Sequence, residues 1–209
     1  PYRDRILLKR SATTREFLTV DAQGRLAELP IPWDHDAFLW TPTGDGRVYL
    51  AGIGEAGGRP FGYLDEGGEA HDLLGEDGEI LRLDLVGSSR EMLYDLGTDS
   101  LFVAETDSQG QGFRLHQIPL SPDGSRIRAP VRSVDIDAFA PLAGGEIPGG
   151  MSAGPGGRIF VMVEVNSNAA GTRTLSVDPV TLGFEPFADF DGSGGRPHVG
   201  AYDSRIAKG

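Results

Sequence analysis

The residues Gly150-Met151-Ser152-Ala153-Gly154 fit the G-x-S-x-G pattern, in which a serine on a sharp strand-to-helix turn becomes a nucleophile. That chemistry needs a helix directly after the serine, because its first amides help to hold an oxyanion. Ser152 is instead followed by Pro155, Gly156 and Gly157 and then the β-branched and aromatic run "RIFVMVEV", so a helix would stop before its second turn. A triad of Ser152, Asp191 and His198 can be written down, but nothing in their spacing brings them together. The motif therefore reads as a turn inside a sheet. Gly150, Ser152 and Gly154 are small so that an inner strand can sit in a crowded place beside an axis.

Two other groups of residues carry donor chemistry. In "DFDGSGG", Asp189, Asp191 and Ser193 offer oxygens at alternate positions, which a loop can wrap around a divalent cation such as Ca²⁺ or Mg²⁺, although the later bidentate Glu of an EF-hand loop is missing. In "WDHDAF", Asp34, His35 and Asp36 crowd the connection into an apolar strand, and the equivalent connections carry Glu91, Glu146 and His198. A ring of carboxylates and imidazoles can hold a cation or exchange protons, while a solvated acidic loop is the plainer reading. His71 and His116 fall mid-hairpin and read as ordinary blade residues.

The elements that must position these groups are short strands. Gly 31 and Pro 14 in 209 residues interrupt helices repeatedly and suit strands joined by turns. Hydrophobic content of 39% with 24% charged residues is that of a folded globular protein. A formal charge of -12 repels phosphate backbones and anionic lipid, which argues against nucleic acid as a partner. The longest apolar run, about "IFVMV", is far short of the roughly 20 residues of a membrane span, so no membrane insertion is expected. With no cysteine there is no disulfide and no thiolate. The chain opens on Pro1, as a processed product would, and an extracellular or periplasmic location is expected.

A repeat organises the strands. "DRILLKR", "GDGRVYLAG", "GTDSLFVAE" and "GPGGRIFVMVE" each run from a charged or Gly/Asp turn into an apolar strand, aligned on Leu7, Tyr49, Phe102 and Phe160. The intervals are 42, 53 and 58 residues, and 56 from Phe160 round through both ends to Leu7. Each strand leads into a hairpin, as in "REFLTVDAQGRLAELPIP", and follows an apolar segment such as "AFLWTPT" or "GGMSAGP". "SSREMLYDL" carries a Ser-x-x-Glu helix-start pattern from Ser88 to Glu91, but its register with "GGMSAGP" makes it an inner strand. The aromatic residues Trp40, Tyr49, Tyr63, Phe102, Phe113, Phe160 and Phe184 fall where blades pack.

The expected fold is an all-β propeller of about four four-stranded blades in one domain, over residues 198–209 with 1–32, then 37–78, 88–138 and 146–192. Pairing the N- and C-terminal strands would close it, unless the chain is part of a larger propeller completed by a second chain.

"IPGGMSAGPGGRIFVMVEV" followed by "RTLSVDPVTLGFEPF" resembles the repeat of virginiamycin B lyase-like and NHL-type propellers, and "RPHVGAYD" is similar to the opening of one of their blades. The lyase resemblance implies a divalent cation and a histidine at the axial mouth. His198 is the one matching position, as general base or metal ligand; Glu146, on the equivalent connection before the serine motif, is the second catalytic candidate. The regular Trp-Phe-Thr-Glu strand of those repeats is missing here, and four blades are fewer than their six or seven.

The function expected first is a binding or scaffold propeller that presents acidic loops to a protein or small-molecule ligand. A metal-assisted lyase or hydrolase and a structural subunit of a larger assembly are the alternatives.

Overall fold

The computed structural model describes residues 6–9, 16–53, 57–85, 89–106, 113–136, 146–165 and 171–191. Among these residues the fold is all-β, with one 3-10 turn at Pro155–Gly157 and no α-helix. Sheet one contains β1 (Ile6–Lys9), β2 (Glu16–Val20) and β3 (Leu26–Pro30), and sheet two contains β4 (Ala37–Pro42), β5 (Val48–Gly52), β6 (Arg59–Leu64) and β7 (Ala70–Asp72), with β8 (Arg82–Leu83) also paired to β6. Sheet three contains β9 (Ser89–Asp95), β10 (Ser100–Thr106), β11 (Phe113–Pro119) and β12 (Arg132–Ile136). Sheet four contains β13 (Glu146–Ala153), β14 (Ile159–Val165), β15 (Gly171–Val177) and β16 (Phe184–Asp191). Apart from β8, consecutive strands within each sheet pair in chain order, the meander of a propeller blade.

The burial pattern explains the order. β4 reads "AFLWTP" with alternating buried and half-buried residues, the period-2 signature of a strand with one covered face. The central strands β5, "VYLAG", and β10, "SLFVAET", are buried along their whole length, so both of their faces are covered. The outer strand β3, "LAELP", is mostly exposed. The segment with the helix-start pattern is β9, because each of its residues from Met92 to Asp95 finds a partner on β10.

The chain forms two compact units: Pro1–Leu85 with Pro119–Pro130, and Val86–Ile118 with Val131–Gly209. In unit one, sheets one and two share a core in which Phe17, Trp33, Val48, Leu50 and Leu64 are buried. In unit two, Phe102, Phe113 and Leu115 of sheet three share a core with Val161, Val163 and Leu175 of sheet four. Burying each such side chain contributes about 1.5–3 kcal/mol, so the shared faces hold each pair of sheets together. The expected strand from residues 198–209, and with it the closure of the ring, lies outside the described residues.

The opening motif takes its place in sheet four. Ser152 is buried on β13 opposite Phe160 of β14, and the chain turns back through Pro155–Gly157 into another strand. No α-helix follows it, as the proline and glycines dictate. The crowding expected along this strand is confined to Gly154, where a Cβ would overlap the Phe160 ring, which is itself edge-on to Phe187 at 4.8 Å. At Gly150 nothing lies within 4 Å of a Cβ, so its small size is not set by packing.

Candidate functional site

The acidic connection of unit one is built on a buried tryptophan. Ile31 and Trp33 are each 4% exposed, and the Trp33 Nε1–H donates to Asp72 Oδ1 at 2.9 Å, which ties the connection to β7 across 39 residues. An indole buries a large apolar body but still needs a partner for its N–H, and Asp72 supplies one. His35 packs edge-on against that indole, with ring centroids 5.0 Å apart. The Ile53 N–H donates to the Asp36 carbonyl at 2.9 Å and fixes the end of the connection against the end of β5. Along this connection, which bends at Asp34 and His35, Trp33 is buried, His35 lies half-buried on it, and Asp34 and Asp36 are exposed.

The other expected site residues that the structure describes belong to unit two. Glu91 is half-buried on β9 opposite Ala104, and burial pushes its carboxyl above the usual carboxylate range. Glu146 begins β13 opposite Val165, and β9 and β13 lie side by side in unit two. Asp189 and Asp191 belong to strand β16, opposite Arg173 and Gly171, rather than to the cation-wrapping loop expected there. The reason is that pairing with β15 continues to Gly171, which keeps both aspartates within the strand. Ser193 and His198 lie outside the described residues. The structure thus brings together Asp34, His35 and Asp36, with Glu91 and Glu146 in the other unit.

Many acidic turn residues are engaged in holding the turns. Asp21 Oδ1 accepts from the Gln23 and Arg25 amides, both at 2.9 Å, and Asp178 Oδ1 accepts from the Val180 amide at 2.8 Å. Asp65, Asp77 and Asp123 do the same in their own hairpins. An aspartate that mimics a backbone turn in this way replaces bonds the chain would otherwise make to water.

One of these turns also gathers metal-type donors that the sequence reading missed. Asp65 Oδ1 accepts from the Glu69 amide at 2.9 Å while Oδ2 lies 3.2 Å from His71 Nε2, and donor atoms of Asp65, Glu69 and His71 all lie within 4.8 Å of one another. The bond from His71, with those from the turn amides, holds the Asp65 carboxyl below its ordinary range. His71 stacks on Tyr63, its cross-strand partner, at 5.1 Å. The signal was present in "YLDEGGEAHD": a tight turn at 65–68 folds Glu69 and His71 back towards Asp65. A mixed nitrogen and oxygen set of three suits a first-row transition metal such as zinc, with water as a further ligand, better than the all-oxygen preference of calcium or magnesium.

No family model matches the chain, and no curated protein does. Among solved structures, a protein from Lactobacillus plantarum is similar over 93% of this chain and 70% of its own, with a TM-score of 0.53 at 12% identity. A protein from Bacteroides fragilis, provisionally assigned as a 6-phosphogluconolactonase, matches over 83% of this chain and 47% of its own, with a TM-score of 0.43 at 13% identity. At such identity the first likeness concerns fold alone, and the four blade-like antiparallel sheets are those of a β-propeller.

Proposed function

We propose that the protein is a binding module of the propeller class whose acidic connection at Asp34, His35 and Asp36 receives a cationic partner, a basic segment of a protein or a basic small molecule. The observation that supports this is the anchoring of the loop: Trp33 is buried and bonded to Asp72, and Asp34 and Asp36, which follow it along the connection, are exposed. A loop held in one shape loses little entropy on binding, so its contacts convert more fully into affinity. The overall charge of -12 favours approach of a cation over the whole surface, and exposed Asp34 and Asp36 give that approach a local target.

The test is binding of a lysine-rich peptide by calorimetry at low and high salt. Asp34→Asn with Asp36→Asn is expected to weaken binding about tenfold, with the difference shrinking as salt screens the charges. Equal binding by the double variant, or no binding by the wild type at low salt, would overturn the reading.

A second reading is favoured by the cluster of Asp65, Glu69 and His71, which makes divalent-cation binding the alternative, as a metal-assisted lyase or hydrolase would require. Zinc titrated into dialysed protein would bind once, and His71→Ala would remove that binding. Calcium or magnesium binding that survives His71→Ala would point to a different site.

A further inference from the structure

Sheet three carries a row of chemistry-bearing groups that the binding reading does not use. Glu105 on β10, His116 on β11 and Ser133 on β12 lie across three successive strands, with His116 Nε2 3.0 Å from Glu105 Oε1 and His116 Nδ1 2.8 Å from Ser133 Oγ. His116 and Ser133 are direct cross-strand partners. Glu105 is 3% exposed and His116 7%, whereas Ser133 is exposed, on the outermost strand of its sheet.

The hydrogen-bond partners assign the imidazole tautomer. A carboxylate only accepts, so Nε2 carries the ring proton and gives it to Glu105, which leaves the Nδ1 lone pair facing Ser133. The serine hydroxyl then donates to Nδ1. A hydroxyl held against a neutral imidazole, whose far side is fixed by a buried carboxylate, has the arrangement of an activated nucleophile, base and positioning acid. Arg114, two residues before His116 on β11 and so on the same face, uses its Nε to bond Asp135 at 2.6 Å. The rest of its guanidinium fork offers further N–H donors on that face to a developing oxyanion.

We propose that Ser133 is the nucleophile of an acyl-transfer site on this face, with His116 as its base and Glu105 as the positioning residue, acting on carboxylic esters with a good alcohol leaving group. Ser133 Oγ attacks the carbonyl carbon while its proton passes to His116 Nδ1. The bond from carbon to the leaving oxygen then breaks, and the proton moves from Nδ1 to that oxygen, releasing the alcohol. Water attacks the acyl-serine by the same route and releases the carboxylic acid, which restores the hydroxyl of Ser133.

The test uses the full chain, a fluorophosphonate probe and p-nitrophenyl acetate. The probe is expected to attach to Ser133, as located by peptide mass mapping, and Ser133→Ala is expected to abolish both labelling and ester turnover. Because Ser133 is exposed, that variant tests reactivity without disturbing a core. Glu105→Gln should slow labelling at least tenfold, and Glu105→Asp, which keeps a carboxylate for His116 to bond, should recover part of the lost rate. Three outcomes would each overturn the proposal: a label on another serine, unchanged labelling of Ser133→Ala, or equal labelling of heat-denatured protein.

Discussion

The Tyr49 hydroxyl donates to the carbonyl of Gly124 at 3.0 Å, joining the buried centre of sheet two to a turn 75 residues further along the chain. Arg47 Nη1 adds a bond to the neighbouring Asp123 carbonyl at 2.7 Å and another to the tyrosine oxygen at 3.2 Å. Tyr49 is 1% exposed, so Tyr49→Phe would leave the Gly124 carbonyl without its donor, at a cost of about 1–3 kcal/mol. Gly124 stands at a φ of +67°, and a Cβ there would overlap both Arg47 Nη1 and the Tyr49 hydroxyl. Gly124→Ala is therefore expected to cost more than Tyr49→Phe, because left-handed strain of about 1–2 kcal/mol adds to the lost contacts. Urea unfolding of the two variants checks the order, and a Gly124→Ala protein as stable as the wild type would refute this account of the turn.

The same turn predicts behaviour in acid. Asp123 accepts from the hydroxyls of Ser121 and Ser125 and from the Ser125 amide, which lowers its carboxyl to about 2. Its folded value is depressed, so the stability it adds is complete above the ordinary carboxylate value of about 3.9 and is lost as pH falls through about 2. Asp123→Ala should lower the melting temperature at pH 6 and make no difference below pH 2. A melting difference that stayed constant from pH 6 to pH 2 would show that the carboxylate does not hold the turn.

Glu91 has the opposite sign. Burial raises its carboxyl, so the ionised form is the one that folding disfavours, and the penalty grows as pH rises through the folded value. Glu91→Gln should therefore raise the melting temperature at neutral pH, with the gain disappearing in acid where the wild-type carboxyl is protonated. A variant less stable than the wild type at pH 7 would mean that Glu91 is compensated by a cationic or donor partner.

The strands were legible where the pattern is local. Leu7, Tyr49, Phe102 and Phe160, aligned only by their turns and apolar neighbours, fall on β1, β5, β10 and β14, the strands that pair next to the first of their sheets in sheets two to four. What stayed hidden depends on pairing across distance. The "SPDGSRIRAPV" arm turns back as a hairpin, with Leu120 bridging Ile127, but nothing local signals that Leu74 pairs with Arg126 or that the sheet takes up again only at Arg132. His116 reads as an ordinary blade residue because its partners, Glu105 and Ser133, lie 11 and 17 residues away and meet it only once three strands align. Trp33 gave no sign of its bond to Asp72 for the same reason.

The G-x-S-x-G match around Ser152 separates two roles for that serine by experiment. If "GMSAG" were a nucleophile elbow, Ser152→Ala would destroy activity and leave the fold intact, with its glycines needed for the sharp turn. In sheet four the demands are reversed. Ser152 is buried within a strand and followed by another strand, so Ser152→Ala should change stability by less than about 1 kcal/mol and leave ester turnover where it was. Gly154→Ala should be the damaging change, by roughly 1–3 kcal/mol, since its Cβ can enter only by displacing the Phe160 ring and with it the contact to Phe187. Thermal melts of the two variants, read beside their hydrolysis of p-nitrophenyl acetate, separate the cases: loss of turnover in a stable Ser152→Ala protein would restore Ser152 as the nucleophile and remove that role from Ser133.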